Sequence, residues 1–203
     1  MRFPIANVLT WTRILMIPLV VLLFYLPFKW SSPAAACVFI AAAITDSLDG
    51  YLARRLQQIS ALGAFLDPVA DKLMVATALV LVVSHAPKLA IPHLPLDGRS
   101  VHVLLVLAAA IIIGREITIS ALREWMAEIG ARAKVAVSGL GKLKTIAQMV
   151  GLSLLLFRED FFGIPIYEIG VATTIVAAGL TLWSMMVYLR SAWPHLTGSV
   201  PLE

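Results

Sequence analysis

Residues 45–73 read TDSLDGYLARRLQQISALGAFLDPVADKL. Four aspartates fall within this stretch, Asp46, Asp49, Asp67 and Asp71. The residues on either side, PAAACVFIAAAI before and MVATALVLVV after, are almost purely apolar. Acidic groups set into such flanks have to be explained by function, because an unpaired buried carboxylate costs several kcal/mol, as an order of magnitude.

Working outward, the chain holds six apolar stretches, at roughly 8–28, 33–56, 61–85, 101–124, 138–157 and 165–189. A helix needs about 20 residues to cross the hydrocarbon core. The composition agrees with a membrane solvent. Of the 203 residues, 60% are hydrophobic and only 14% are charged, against about 45–50% and about 25% in soluble domains. The expected fold class is an all-α integral membrane protein of six transmembrane helices with an N-terminal amphipathic stretch, forming one domain over 1–203. The first apolar run follows Asn7, Thr10, Thr12 and Arg13 and is followed by further spans, so it reads as a retained helix, not as a cleaved signal.

Six spans put both termini on one side. That side collects Arg2, Arg13, Arg54, Arg55, Arg115, Arg123, Arg132, Lys134, Lys142, Lys144 and Arg190, and the other has Lys29, Lys88, Arg99 and Arg158. This asymmetry places the termini, the aspartates and the basic 127–144 loop at the cytoplasmic face. It also accounts for the net charge of +4 without nucleic acid, for which there is no soluble basic domain. The single cysteine, Cys37, permits no intrachain disulfide and reads as a small helix residue. His85, His93, His102 and His195 show no paired spacing and read as surface groups. Trp11, Trp30, Trp125 and Trp193 fall where an interfacial aromatic belt belongs.

On a helix advancing about 100° per residue, Asp46, Asp49 and Ala53 lie within about 60° of one another. Gly63, Asp67 and Asp71 are spaced i, i+4, i+8 and form one row. Packing the two helices makes the acidic faces converge. Four carboxylates in a low dielectric either protonate or hold cations, and hard divalent ions with oxygen ligands suit them. A pair of such ions is a recurrent device for displacement at phosphorus. Gly50, Ala53 and Gly63 leave room for a phosphate-bearing ligand to approach the backbone. They equally suit close helix packing.

Asp46-x-x-Asp49-Gly50-x-x-Ala53-Arg54 followed by Gly63-x-x-x-Asp67-x-x-x-Asp71 resembles the signature of the CDP-alcohol phosphotransferases, matching all its eight fixed positions. The resemblance implies that Asp46, Asp49, Asp67 and Asp71 serve two divalent metal ions, Mg²⁺ or Mn²⁺. It implies that Asp71 is the general base, a choice over Asp67 that spacing does not make. It also implies that Asp49, Gly50, Ala53, Arg54 and Gly63 line the CDP donor. The stretch IANVLTWTR is similar to the Pro-Asn-x-Leu-Thr-x-x-Arg element of the family, with Ala6 in place of proline; by that likeness Asn7 and Thr10 contact the cytidine end. Both also suit helix capping.

For the acceptor, GREITISALREWMAEIG and GLGKLKT are informative. Converging Arg115, Arg123, Lys142 and Lys144 suit an acceptor phosphate. The pattern G-R-E-x-x-I-S-x-L-R-E with G-K-x-K-T resembles the bacterial members of the family that use CDP-diacylglycerol and sn-glycerol 3-phosphate. Other members take inositol phosphate, serine or phosphatidylglycerol. Lys72, beside Asp71, suits either tuning of the base or a structural pair. The likeness further implies a homodimer embedded in membrane lipid, in the inner membrane. A divalent-cation transporter is the competing class, but the far ends of helices two and three lack the polar groups a through-path needs.

Overall fold

The computed structural model describes residues 5–56, 61–86, 96–129 and 139–197; within these, the side chains of 5–9, 46–56, 61–62, 64, 139–142 and 195–196 fall outside the description. The described residues form six helices: α1 (Ile5–Tyr25), α2 (Ser31–Leu56), α3 (Ala61–Ser84), α4 (Gly98–Glu128), α5 (Gly139–Phe157) and α6 (Ile166–Leu196). The all-α class and the six segments follow the sequence reading. The boundaries differ where local chemistry overrides hydropathy. Helix α1 stops at Tyr25, just ahead of Pro27, because the residue before a proline is pushed out of the helical region. Helix α4 begins at Gly98, after Asp97 in an extended conformation, where a side-chain acceptor favours a helix start. Ser100 donates to the Asp97 carboxylate, and this bond holds Asp97 below the usual carboxylate range.

Helices α4 and α6 are long and apolar enough to cross a bilayer on their own; the apolar parts of α1, α2 and α5 are shorter. Apolar side chains occupy both the interior and the exterior. Phe39, Leu79, Leu105, Ile112, Leu152 and Leu155 are buried, while Leu15, Leu22, Phe65, Leu73, Trp183 and Trp193 face outward. A helix apolar all round is the pattern expected of lipid-facing segments.

Side-chain contacts fix the direction of the helices. Thr10 at the start of α1 meets Asp67 near the start of α3. Phe24 at the end of α1 packs edge-on against His85 after α3, with ring centroids 4.9 Å apart. The guanidinium of Arg158, after α5, lies 3.7 Å over the Phe24 ring. Thus α1, α3 and α5 run one way and α2, α4 and α6 return. At this far end burial, opposed in part by the neighbouring Tyr167 and Tyr25, keeps the Arg158 guanidinium below its ordinary value. His85 is also lowered, first by the water its neighbours displace and second by the Arg158 charge. The α5–α6 turn is closed by paired backbone bonds between Phe161 and Ile164. Gly163, at φ +78°, takes the left-handed position that favours glycine.

Helices α5 and α6 approach closely. A Cβ at Gly151 would stand 2.5 Å from Thr174 Oγ1 and 3.0 Å from the Thr174 amide nitrogen. Small residues let helix backbones come this close. Gly151→Ala is therefore expected to destabilise the fold by about 1–3 kcal/mol, the usual cost of overpacking. A thermal melt in detergent checks this. An unchanged midpoint would mean that α6 slides without penalty.

Candidate active site

The first turns of α1, α3 and α5 and the returning ends of α4 and α6 share the end of the bundle that carries the signature. On α3, Gly63 is buried, Asp67 is half-buried and Asp71 is exposed. The two aspartates are one turn apart, on the side of α3 away from the outward-facing Phe65, Val69 and Leu73. Thr10 is buried, with 1% of its surface exposed. Its hydroxyl donates to Asp67 Oδ1 at 2.6 Å. Arg13, one turn further along α1, is buried to the same degree. Lys72 does not turn back toward Asp71 in any contact described; its ammonium donates to Ser120 Oγ on α4. The acidic helix is thus tied to α1 on one side and to α4 on the other.

The side chains of Asn7, Asp46, Asp49, Ala53, Arg54 and Lys142 lie outside the described residues, as does any side-chain contact of Gly50's neighbours. Their backbones lie on α1, α2 and α5. The convergence of the α2 and α3 carboxylates therefore rests on the sequence. Among the described residues, Asp67 and Asp71 supply an all-oxygen donor pair. That chemistry suits Mg²⁺ or Mn²⁺ and does not suit soft ions.

Two of the predicted basic residues, Arg123 and Lys144, contact α6. Arg115 is buried, with 7% exposed, and its guanidinium pairs with Glu116. Its Nε is buried without a hydrogen-bond partner among the described residues. Arg123 lies 5.5 Å over the ring of Tyr188, and both Arg123 and Tyr188 are within electrostatic reach of Arg115. Lys144, buried on α5, donates to Ser184 Oγ at 3.3 Å. Ser184 and Tyr188 are one turn apart, so α6 brings the α4 arginines and the α5 lysine to adjacent positions. Ile119, Leu122 and Met126 of α4 pack on Tyr188 and Ala192 and hold this arrangement.

Sequence reading missed Ser120, Ser184 and Tyr188. A signal was available for the last two. Thr174, Thr181, Ser184 and Tyr188 recur at spacings that keep them on one stripe of α6, and all four are buried. A polar stripe turned inward in an apolar helix asks for polar partners. Reading α6 only for its small residues passed over it.

The helical bundle thus carries the Asp67–Asp71 row on α3, and Arg115, Arg123 and Lys144 on α4 and α5 grouped near Ser184 and Tyr188 of α6. The chain belongs to the CDP-alcohol phosphatidyltransferase family, whose model matches residues 3–187. It is 52% identical over 193 residues to a CDP-diacylglycerol–glycerol-3-phosphate 3-phosphatidyltransferase of Pseudomonas fluorescens, covering 95% of this chain and 91% of that protein. It is 50% identical over 192 residues to the protein of the same name from Escherichia coli K12, covering 95% and 96%. A Sodalis glossinidius protein of that name is 52% identical over 192 residues, with the same two coverages.

Proposed function

We propose that this protein is a membrane-embedded enzyme that transfers the phosphatidyl group of CDP-diacylglycerol to sn-glycerol 3-phosphate, giving phosphatidylglycerophosphate and CMP, a step of phosphatidylglycerol biosynthesis. The observation that carries this reading is similarity at 50–52% identity along 95% of the chain to proteins of that name, with the acidic signature intact.

Asp46, Asp49, Asp67 and Asp71 would hold two divalent ions, Mg²⁺ or Mn²⁺. When bound, such ions neutralise charge on the diphosphate and on the departing CMP. Asn7, Gly50, Ala53, Arg54 and Gly63 seat the donor. Arg115, Arg123, Lys142 and Lys144 take the phosphate of the acceptor; a buried Arg115 Nε with no partner among the described residues supports this, because a buried donor calls for an acceptor atom. Asp71 takes the proton from the free primary hydroxyl of glycerol 3-phosphate. The hydroxyl oxygen then bonds to the phosphatidyl phosphorus. The bond from that phosphorus to the bridging oxygen breaks, and the electron pair leaves on CMP. Holding both substrates over one acidic row supplies the proximity term.

Six spans, with the acids and both termini at the cytoplasmic face of the inner membrane, fit the eleven-to-four split of basic residues counted above. The homodimer is proposed on family likeness, and cross-linking in native membranes tests it. The enzymatic test is CMP release by purified protein in detergent with Mg²⁺ and CDP-diacylglycerol, with and without glycerol 3-phosphate. CMP is expected only when that acceptor is present. Release with inositol phosphate, serine or phosphatidylglycerol instead would overturn the acceptor and keep the class.

A further inference from the structure

We infer that Thr10 is a positioning residue for Asp67: its hydroxyl fixes the carboxylate in the orientation in which it receives a divalent cation. This rests on the reading of Asp67 as a metal ligand. It differs from the part that family likeness gives Thr10, a contact to the cytidine end of the donor.

Three observations carry it. The contact is short, 2.6 Å, and joins residues 57 apart in sequence on different helices. Thr10 is 1% exposed, so its side chain is enclosed in protein; a β-branched residue in a helix also has few rotamers to choose from. The hydroxyl therefore reaches Asp67 from a nearly fixed point. Finally, the bond engages Oδ1 alone, and among the described residues Asp67 Oδ2 takes no hydrogen bond. One oxygen is held and the other is left for a ligand. Carboxylates that bind metals are themselves commonly hydrogen-bonded, and loss of such a partner typically costs about 10–100-fold in metal affinity or activity.

Several helix hydroxyls among the described residues serve their own helix: Thr118 donates to the Gly114 carbonyl, Ser153 to Met149 and Thr173 to Ile169. Thr10 donates to an acid of the signature. The bond also couples α1 to the acidic row, so the turn of α1 that carries the Asn7–Arg13 element sets where Asp67 stands.

The test is Mn²⁺ binding by the purified full chain, followed by electron paramagnetic resonance, for wild type, Thr10→Val, Thr10→Ser and Asp67→Asn. Valine keeps the shape of threonine and removes the donor; serine keeps the donor. Thr10→Val is expected to weaken Mn²⁺ binding by about 10-fold or more, with Thr10→Ser close to wild type. The KM for CDP-diacylglycerol at saturating Mn²⁺ should not change in either variant. Wild-type Mn²⁺ affinity in Thr10→Val would overturn the inference. With a raised donor KM, that result would make Thr10 a donor contact; with only a lowered melting point, it would make Thr10 a helix tie. Wild-type affinity in Asp67→Asn would remove Asp67 from the metal site, a failure distinguishable from that of Thr10 alone.

Discussion

Asp71→Asn is expected to lower CMP release by about 1,000-fold, within the range of about 10²–10⁴ that loss of a general acid–base group produces. Asparagine matches aspartate in size and keeps one carbonyl oxygen, but it does not accept the proton of the attacking hydroxyl. Asp71 is suited to that task by position. It is the exposed member of the α3 row, one turn from the half-buried Asp67, and so the one that an incoming acceptor can reach. The neighbouring Lys72 is committed to Ser120 on α4, which holds this turn of α3 in place. Mn²⁺ binding separates the two parts assigned to Asp71. Binding retained with CMP release lost identifies a base; binding and release lost together identify a metal ligand. Activity within about tenfold of wild type, too small a loss for a base, would remove Asp71 from the chemistry altogether.

The helical order of this protein is close to legible because hydropathy dominates it. Six apolar runs became six helices; Pro27 and Asp97 set two of the end points, while α4 and α6 run on past their apolar stretches to Glu128 and Leu196. The signature was legible because its spacing is internal to two helices. What the sequence did not carry is register between helices far apart in the chain. The bond from Thr10 to Asp67 depends on how α1 slides along α3. The meeting of Lys144 with Ser184, and of Arg123 with Tyr188, depends on α6 lying between α5 and α4. Periodicity assigns a face to each of these residues but no partner. Arg115 was read as one of the basic groups converging on an acceptor phosphate; the structure adds that it is buried and paired with Glu116. The pairing was open to inference from the adjacent charges, but burial was not.

That burial makes Arg115 the place where the acceptor reading is most exposed to test. Arg115→Met is expected to raise the KM for glycerol 3-phosphate by about 30-fold or more while the KM for CDP-diacylglycerol holds. Removing one member of a buried, hydrogen-bonded charge pair costs about 2–5 kcal/mol, and each 1.4 kcal/mol is about tenfold. Methionine fills the space of the aliphatic stem, so packing against α6 is largely kept. The substitution has a second consequence, since Glu116 loses its partner. A stranded carboxylate would itself disturb the site. The double variant Arg115→Met/Glu116→Gln separates the two effects. If the acceptor KM stays raised when the stranded charge is gone, the guanidinium binds the acceptor phosphate through the edge that carries Nε. If the KM returns toward wild type, Arg115 serves only to balance Glu116, and the acceptor phosphate is left to Arg123, Lys142 and Lys144. Arg115→Lys distinguishes charge from geometry within the first outcome: lysine restores the positive charge but not the planar fork, so it should recover only part of the lost affinity.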